Sequence, residues 1–408
     1  MYLIFAWRYF KGKKSANAIN IISWVTTGVI AFATCCQLLV LSVFNGFEDL
    51  VKSLYASFYT DLKIVPAKGK TFTLTADQFS QIKQQPSIRG VSLVAEEKAL
   101  LKIKNGEQQS VVYIKGVDND FENVSGVPFK LTRGKFNTGT VDTPRLIIGA
   151  GIQNALALTI NEEFAPEYIT VILPKKNVTS SDPLASLSEG NVTANAVFAI
   201  QQDFDNKYVF SNIAFVKQQM GLKENEFTAA EIKLKAGADI KDAREALQKL
   251  MGGNYSVQTK YEQNSNLYNT MRLEKWAIYA VLTLILIIAS FNMVSALTML
   301  VLEKKQDISI LQSMGSPASQ IKKIFMSQGI LLAIIGALCG IALALIICLL
   351  QVKFKLIKLQ GGSFLIDYFP VKLVLTDFLM VTATAMAIAL IASWFPASKA
   401  AKQPLELR

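Results

Sequence analysis

The stretch VLEKKQDISILQSMGSPASQIKKIF, residues 301–325, joins two of the most apolar parts of this 408-residue chain. Its apolar residues Ile308, Leu311 and Met314 recur at i, i+3 and i+6, with Ile310 beside them, and charged residues surround the start of the segment. The pattern predicts a short amphipathic helix between two apolar helices. Its apolar ridge either fits a groove on a partner or lies on the protein's own bundle and the lipid headgroups, and periodicity alone leaves both open.

Four apolar runs in the sequence are long enough to cross the roughly 30 Å of hydrocarbon in a bilayer. They are residues 19–44, 276–302, 324–350 and 373–395, and only the last contains an acid, Asp377. Because 51% of the residues are hydrophobic and the mean hydropathy is +0.32, the chain is too apolar for a typical soluble protein. The predicted fold class is a membrane protein, an α-helical bundle of four transmembrane helices with a large α+β extracytoplasmic domain between the first and second helices.

Residues 45–275 separate the first two apolar runs and mix strand and helix signals. Short runs rich in β-branched and apolar residues predict strands at 61–66, 99–104, 110–117, 145–149, 168–174, 196–201 and 230–235. A polar, turn-rich stretch at 175–195 is predicted to be a loop that separates two subdomains. The stretch as a whole therefore predicts a folded domain outside the bilayer.

The clearest helix signal in this domain lies at residues 239–251. Asp239 suits the N-cap, and Gly252 suits a C-terminal stop. The apolar residues expected on one face of this helix are Ile240, Ala243, Leu247 and Leu250.

The composition excludes several kinds of chemistry. The chain contains no histidine, which excludes a His-dependent catalytic triad and disfavours a zinc site. The cysteines Cys35, Cys36, Cys339 and Cys348 all lie inside predicted membrane helices, where packing is their simplest role. The stretch RLIIGAGIQNALAL at 145–158 lacks the acidic residue of a dinucleotide site and is interpreted as a structural turn. No P-loop pattern occurs, so the sequence predicts no ATPase activity in this chain, and without histidine it offers no candidate catalytic residue and no metal site.

The net charge of +11 is concentrated beside the apolar runs, and the large domain is nearly neutral. This distribution argues against nucleic-acid binding. The positive-inside tendency places an interfacial amphipathic segment at 1–18, the loop 303–323 and the tail 396–408 in the cytoplasm, and the domain 45–275 outside. Parity also places the short loop 351–372 outside. That loop nevertheless carries four lysines, Lys353, Lys355, Lys358 and Lys372.

Three stretches of the chain resemble the FtsX/MacB-type permeases of ABC transporters. Residues 292–340, NMVSALTMLVLEKKQDISILQSMGSPASQIKKIFMSQGILLAIIGALCG, are similar to the signature segment of that family. Residues 22–52 and the tail WFPASKAAKQPLEL at 394–407 agree with it. The motif LSVFNGFEDLV at 41–51 is most similar to the permease subunits of lipoprotein-releasing systems. The resemblance covers all four apolar runs and both ends of the chain.

The resemblance implies a partner for the short charged helix. In this family the helix is the coupling helix that fits a groove on a separate cytoplasmic ABC ATPase subunit, which uses ATP and Mg²⁺, while the permease chain binds no cofactor. The residues so assigned to ATPase coupling are Glu303, Asp307, Ile308, Ile310, Leu311, Met314, Gly315 and Ser316. The implied function is release of lipoproteins from the inner membrane towards a periplasmic carrier. A second permease copy or a homologue would complete the complex.

In the lipoprotein-releasing interpretation, acyl chains enter a cavity lined by the first and second helices. The candidate cavity residues are Leu41, Phe44, Asn45, Gly46, Phe47, Phe291 and Met293. Two alternatives stay open at this point. One is a mechanotransmission permease of the same family that serves efflux or cell-envelope regulation. The other is a membrane-anchored sensor or scaffold with no ATPase partner.

Overall fold

The computed structural model describes residues 17–103, 107–160, 167–176, 186–359 and 368–403. The predictions for residues 1–16, 177–185, 360–367 and 404–408 lie outside the described residues. The chain divides into two compact units. The first unit, here called the helical unit, comprises the described residues 17–50, 269–359 and 368–403. The second unit, here called the large domain, comprises the described residues within 51–268.

The secondary structure begins with one long helix and continues through the strands and short helices of the large domain. In chain order these elements are α1 (Asn17–Phe58), β1 (Leu62–Pro66), β2 (Phe72–Thr73), α2 (Ala76–Lys83), β3 (Ile88–Ile103), β4 (Gln109–Val117), α3 (Phe121–Val124), β5 (Leu131–Gly134), β6 (Arg145–Gly149), α4 (Ala150–Ala155), β7 (Tyr168–Pro174), β8 (Leu187–Phe198), α5 (Gln202–Asp205), β9 (Tyr208–Asn212), α6 (Ile213–Met220), β10 (Glu226–Phe227), β11 (Ala229–Leu234), α7 (Ile240–Met251), β12 (Tyr255–Thr259) and α8 (Lys260–Gln263). Four more helices follow, α9 (Ser265–Glu303), α10 (Lys305–Ser313), α11 (Ala318–Phe354) and α12 (Leu375–Ala401).

Four helices of the described chain are long and apolar enough to cross a membrane: α1, α9, α11 and α12. Each overlaps one of the predicted apolar runs, and three of the helices extend past both ends of their run. The helix α1 continues to Phe58, well beyond the predicted end at Phe44, and α9 begins at Ser265. Hydropathy detects only the apolar part of a helix. The polar turns at its ends are equally helical in their backbone hydrogen bonds, but they do not raise the hydropathy.

The large domain is built on a mixed ten-stranded sheet. Its strand order is β12-β1-β11-β3-β4-β9-β6-β8-β5, and β7 pairs with both β3 and β8. Most neighbours are antiparallel, whereas β4 pairs with β9 and β6 pairs with β8 in parallel. Parallel neighbours need a crossover between them, and the short helices supply parts of these connections. The domain is therefore a mixed α/β fold, and all seven predicted strands fall on or overlap observed strands.

One predicted loop is wrong in its second half. Residues 187–195 belong to β8, which forms an antiparallel ladder with β7 from Tyr168 opposite Thr193 to Pro174 opposite Leu187. The stretch looks like a loop because it is polar and contains Gly190. Its backbone nevertheless pairs with strands on both sides, and tertiary pairing of this kind overrides weak local propensity. The two flanks of the predicted loop therefore belong to one sheet.

The helix at 239–251 agrees with the sequence except at its first apolar residue. The Asp239 carboxylate accepts hydrogen bonds from the backbone N–H groups of Lys241 and Asp242, which confirms the N-cap. The buried residues are Ala243, Leu247 and Met251, which recur every four residues. Ile240 lies seven residues before Leu247 and so on the same side of the helix, but it is exposed because it is the first residue of the helix.

The glycine-rich turn at 145–158 is a strand-to-helix connection, as interpreted from the sequence. The strand β6 leads directly into the six-residue helix α4. A Cβ atom at Gly149 would collide with the backbone of Asp205, and one at Gly151 would collide with the side chain of Asn206. Protein atoms therefore occupy the space in front of both glycines, where a nucleotide phosphate would otherwise approach the backbone.

A buried ion pair lies inside the large domain. The Lys115 ammonium on β4 is 2.6 Å from the Glu231 carboxylate on β11, and both side chains are almost completely buried. The same ammonium lies 5.2 Å from the ring centroid of Phe58 and 5.3 Å from that of Phe121. Hydrogen bonding and cation–π contacts thus replace the water that the lysine loses on folding.

Replacing Lys115 by alanine should destabilise the large domain by about 3–5 kcal/mol, because the Glu231 charge would stay buried without a partner. Pulse proteolysis of the full chain across a urea series measures this change. The control is Lys70→Ala, which breaks an ion pair with Glu97 whose lysine is exposed and which should change stability by less than about 1 kcal/mol. A double change, Lys115→Met with Glu231→Leu, should recover most of the loss. Equal midpoints for Lys115→Ala and Lys70→Ala would contradict the role of burial.

In the helical unit, α11 packs closely on α1 through Gly336 and Gly340. A Cβ atom at Gly336 would lie 2.9 Å from Ile30 Cβ, and one at Gly340 would lie 2.9 Å from Thr34 Cβ. The two glycines are four residues apart, so they occupy one helix face, and small residues there allow two helix backbones to approach. The described bundle core includes the buried cysteines Cys35 and Cys348, which are free thiols.

The Gly340→Ala variant should destabilise the helical unit by about 1–3 kcal/mol through overpacking. A matched change, Gly28→Ala on α1, meets nothing within 4 Å and should be neutral or slightly stabilising. A thiol-reactive dye measures the melting temperature of this unit through the buried thiols of Cys35 on α1 and Cys348 on α11, which become reactive when the unit unfolds. The close contact would be refuted if both variants melted at the wild-type temperature.

Candidate functional site

The helix α10 is a short element held firmly between α9 and α11. The Lys304 ammonium pairs with the Asp307 carboxylate at 3.2 Å. At its C-terminal end, the Ser316 N–H donates to the Leu311 carbonyl, and Gly315 adopts a left-handed backbone with φ 86°. The Gln312 side-chain amide donates to the Gln403 carbonyl after α12. The first two interactions stabilise the ends of α10, and the bond from Gln312 to Gln403 fixes the helix to the rest of the helical unit.

The apolar residues of α10 divide between two faces. Ile308 is only 1% exposed and packs in a cluster with Leu300, Phe325 and other core residues of α9, α11 and α12. Ile310 is 58% exposed and Met314 is 78% exposed, whereas Leu311 is half-buried. Of the remaining predicted coupling residues, Glu303 and Gly315 are exposed and Asp307 and Ser316 are half-buried. Ile308 thus anchors the helix, and Ile310 and Met314 present an apolar surface.

A polar cluster joins three helices at the other end of α9. This cluster, here called the helix clasp, consists of Asn45 on α1, Lys275 on α9 and Asp377 on α12. The Asn45 amide donates to Asp377 Oδ2 at 2.6 Å, and the Lys275 ammonium donates to Asn45 Oδ1 at 2.9 Å and to Asp377 Oδ2 at 3.2 Å. Asp377 is only 2% exposed. A carboxylate so buried among apolar helices requires such partners, because an unpaired charge there is costly.

The chain between α11 and α12 is held against α1 beside the helix clasp. The backbone N–H of Lys372 donates to the Ser42 carbonyl at 3.0 Å. A Cβ atom at Gly46 would collide with the carbonyl of Pro370. The rings of Phe47 and Phe369 meet edge to face, with centroids 5.7 Å apart. The motif at 45–47 is therefore a docking point for this connection.

The structure does not gather the seven candidate cavity residues into one place. Leu41 is buried in a cluster with Leu38, Ala344 and Val381, while Met293 is buried in the cluster that contains Ile308. The remaining residues are Phe44, which is half-buried, Phe291, which is exposed, and Asn45, Gly46 and Phe47, which make the contacts described above.

Sequence reasoning missed the role of Lys275 and Asp377, although a signal for both was available. Asp377 is the one acidic residue inside an apolar run, and Lys275 immediately precedes another run. Ionisable residues in such positions usually find a partner within the bundle. The sequence could not show that the two residues meet, since that depends on how the helices pack.

Among the described residues, no group of three or more Cys, Asp or Glu side chains is placed to hold a metal ion.

Known families and proteins are similar to nearly the entire chain. The MacB-like periplasmic core domain matches residues 23–250, and the FtsX-like permease C-terminal domain matches residues 279–405. The lipoprotein-releasing system transmembrane protein LolE of Haemophilus influenzae is 28% identical, over 98% of this chain and 97% of that protein. The lipoprotein-releasing system transmembrane protein LolC of Xylella fastidiosa is 25% identical, over 98% of this chain and 96% of that protein.

A solved structure of the periplasmic region of MacB from Actinobacillus actinomycetemcomitans covers 54% of this chain and 98% of its own, with 13% identity and a TM-score of 0.38. The two family matches together cover more than half of the chain. Of the four long apolar helices described, they include all of α11 and α12 and nearly all of α1. The chain therefore belongs to the permeases that combine a MacB-like periplasmic core domain with an FtsX-like permease C-terminal domain.

Proposed function

We propose that this chain is the permease subunit of an ABC transporter that releases lipoproteins from the inner membrane towards a periplasmic carrier. A separate cytoplasmic ATPase subunit supplies the ATP hydrolysis. The observation that carries the proposal is similarity over the whole chain to two permease subunits named for lipoprotein release. In this arrangement α1, α9, α11 and α12 span the membrane, the large domain is periplasmic and both termini are cytoplasmic.

The proposed contact with the ATPase is the exposed surface of α10. Ile310 and Met314 would enter an apolar groove on the ATPase, because their exposed side chains lose contact with water there. Ile308 and Gln312 fix the helix to the bundle, so a push on the exposed face would move the helical unit rather than bend α10 alone. A rigid-body change of this kind is a common way to transmit ATP-driven closure.

The substrate would enter near the helix clasp. The motif Asn45-Gly46-Phe47 sits at that end of the apolar part of α1, and the exposed Phe291 lies farther along α9. Acylated substrate would approach between these two helices from the membrane. A second copy of this chain, or a homologue, would supply the other half of the cavity, since two ATPase subunits act together on two permeases in the proposed complex.

Purification of the tagged chain in mild detergent from its own host, followed by mass spectrometry, tests the proposal. The expected companions are a soluble ABC ATPase and acylated lipoproteins. An ATPase without lipoproteins would contradict the substrate and favour a mechanotransmission role. Absence of any ATPase, under conditions that keep other ABC transporters intact, would contradict the permease function itself.

A further inference from the structure

The segment that follows the apolar part of α11 has an unusual surface. Residues 353–358, KFKLIK, are here called the basic loop, and all six are exposed. Three are lysines, Lys353, Lys355 and Lys358, and three are large apolar residues, Phe354, Leu356 and Ile357. The basic loop thus intersperses cationic and apolar side chains over a short stretch, and both kinds of side chain are exposed.

The shape of the basic loop is held by a buried side chain. The Gln351 side-chain carbonyl accepts from the Ile357 N–H at 3.0 Å, and its amide donates to the carbonyls of Ile357 and Phe369 at 3.1 and 3.2 Å. Lys355 adopts a left-handed backbone with φ 50°, which turns the chain out of the helix. The loop is therefore a formed structure that displays its lysines and apolar residues together.

The lysines of the basic loop are not neutralised by the described part of the chain. Lys372 pairs with Asp49 and Lys275 pairs with Asp377, but no described carboxylate lies within ion-pair distance of Lys353, Lys355 or Lys358. Two of these three ammonium groups lie near aromatic rings, Lys353 near Phe354 and Lys355 near Tyr368 at 4.1 Å. Three cations beside exposed apolar residues are complementary to an anionic ligand that also has an apolar part.

We propose that the basic loop binds the headgroups of anionic phospholipids in the outer leaflet. The inference rests on the membrane orientation in the proposed function, because α11 leads from α10 on the cytoplasmic side to the basic loop on the other side. Lysines attract the phosphates, while Phe354, Leu356 and Ile357 enter the boundary between headgroups and acyl chains. This ligand explains why three lysines with no described ion-pair partner occupy a loop that the positive-inside tendency would leave without them, while the fourth lysine of residues 351–372, Lys372, pairs with Asp49.

Bound lipid would also act on the rest of this end of the helical unit. The chain that continues from the basic loop to α12 contacts α1 through Phe369, Pro370 and Lys372. Anionic headgroups held by the loop would therefore stabilise the connection that packs against the motif at 45–47, where acylated substrate is proposed to enter.

Lipid retention by the full chain tests this inference without requiring the ATPase or any substrate. The chain is equilibrated in detergent with equal amounts of phosphatidylglycerol and phosphatidylcholine, and the lipids that remain bound are counted by native mass spectrometry. The triple variant K353Q/K355Q/K358Q should lower the preference for phosphatidylglycerol about tenfold or more. The control K68Q/K102Q/K241Q removes the same charge from exposed lysines of the large domain and should leave the preference unchanged.

A second variant separates the charge from a change in fold. K353R/K355R/K358R keeps the cations and should retain phosphatidylglycerol as the wild type does. The inference would be overturned if the glutamine triple variant kept the wild-type preference, or if the control lost it equally. Neither result would contradict the proposed lipoprotein release. That function is tested separately, by the proteins that co-purify with the chain and by an assay of lipoprotein release.

Discussion

Replacing Ile310 by aspartate should weaken binding of the partner ATPase by at least about tenfold. Ile310 is the apolar side chain at the centre of the exposed face of α10, with Met314 one turn beyond it. Burying an isoleucine in a groove is worth about 1.5–3 kcal/mol, and about 1.4 kcal/mol corresponds to a tenfold change in affinity. The introduced carboxylate would add the desolvation of a charge. Titration of the purified permease with its ATPase measures the loss directly.

The control for this variant is the same substitution at another exposed isoleucine. Ile240 lies in the first turn of α7 in the large domain, so Ile240→Asp introduces the same charge far along the chain from α10. An acidic residue is also favourable at a helix N-terminus, so the control should fold normally. ATPase affinity should stay at the wild-type value in Ile240→Asp. If Ile310→Asp bound the ATPase with unchanged affinity, the proposal that α10 contacts the ATPase would be wrong.

Replacing Lys275 by alanine should destabilise the helical unit more than any other single change in the helix clasp. The variant leaves the Asp377 carboxylate buried with only the Asn45 amide as a partner. Breaking a buried pair costs about 3–5 kcal/mol, and the partial exposure of Lys275 places the expectation near the lower value. A loss of about 3 kcal/mol should lower the melting temperature by about 6–12 °C. The thiol-reactive dye again provides the measurement.

Two further variants identify the source of this loss. Lys372→Ala breaks the neighbouring ion pair with Asp49, in which both side chains are about half exposed, and should shift the melting temperature only slightly. The double variant Lys275→Met with Asp377→Leu removes both charges and should melt close to the wild type. If Lys275→Ala melted no lower than Lys372→Ala, the helix clasp would have no special role in stability.

The sequence predicts the four apolar helices, the mixed large domain and the family, because each of these depends on composition or on motifs that can be read locally. Hydropathy finds α1, α9, α11 and α12, and alternation or apolar runs find strands such as β1, β6 and β7. It misses most of β8, whose polar residues form a strand only because β7 and β6 pair with it. Hydropathy also misses the polar extensions of α1 and α9, because it detects only the apolar part of a helix.

The candidate sites are harder to predict because they depend on which faces of the helices meet. Periodicity places Ile308, Leu311 and Met314 on one ridge, but the bundle buries Ile308 and leaves Met314 exposed. The helix clasp joins residues that are more than 100 positions apart in the sequence. No local sequence pattern shows which residues of the three helices lie opposite one another. The cavity prediction combined residues where the first helix leaves the membrane with an aromatic residue and a methionine of the second helix, and of these Met293 packs in the core.

ATP-dependent release in proteoliposomes tests directly whether this chain is a lipoprotein-releasing permease. The permease is reconstituted with its ATPase, any second permease, a triacylated lipoprotein and a soluble lipoprotein carrier. ATP should move the lipoprotein from the liposomes to the carrier, and an ATPase unable to hydrolyse ATP should abolish the transfer. Continued ATP hydrolysis by the assembled complex, with the lipoprotein remaining in the liposomes at the level found without ATP, would contradict lipoprotein release.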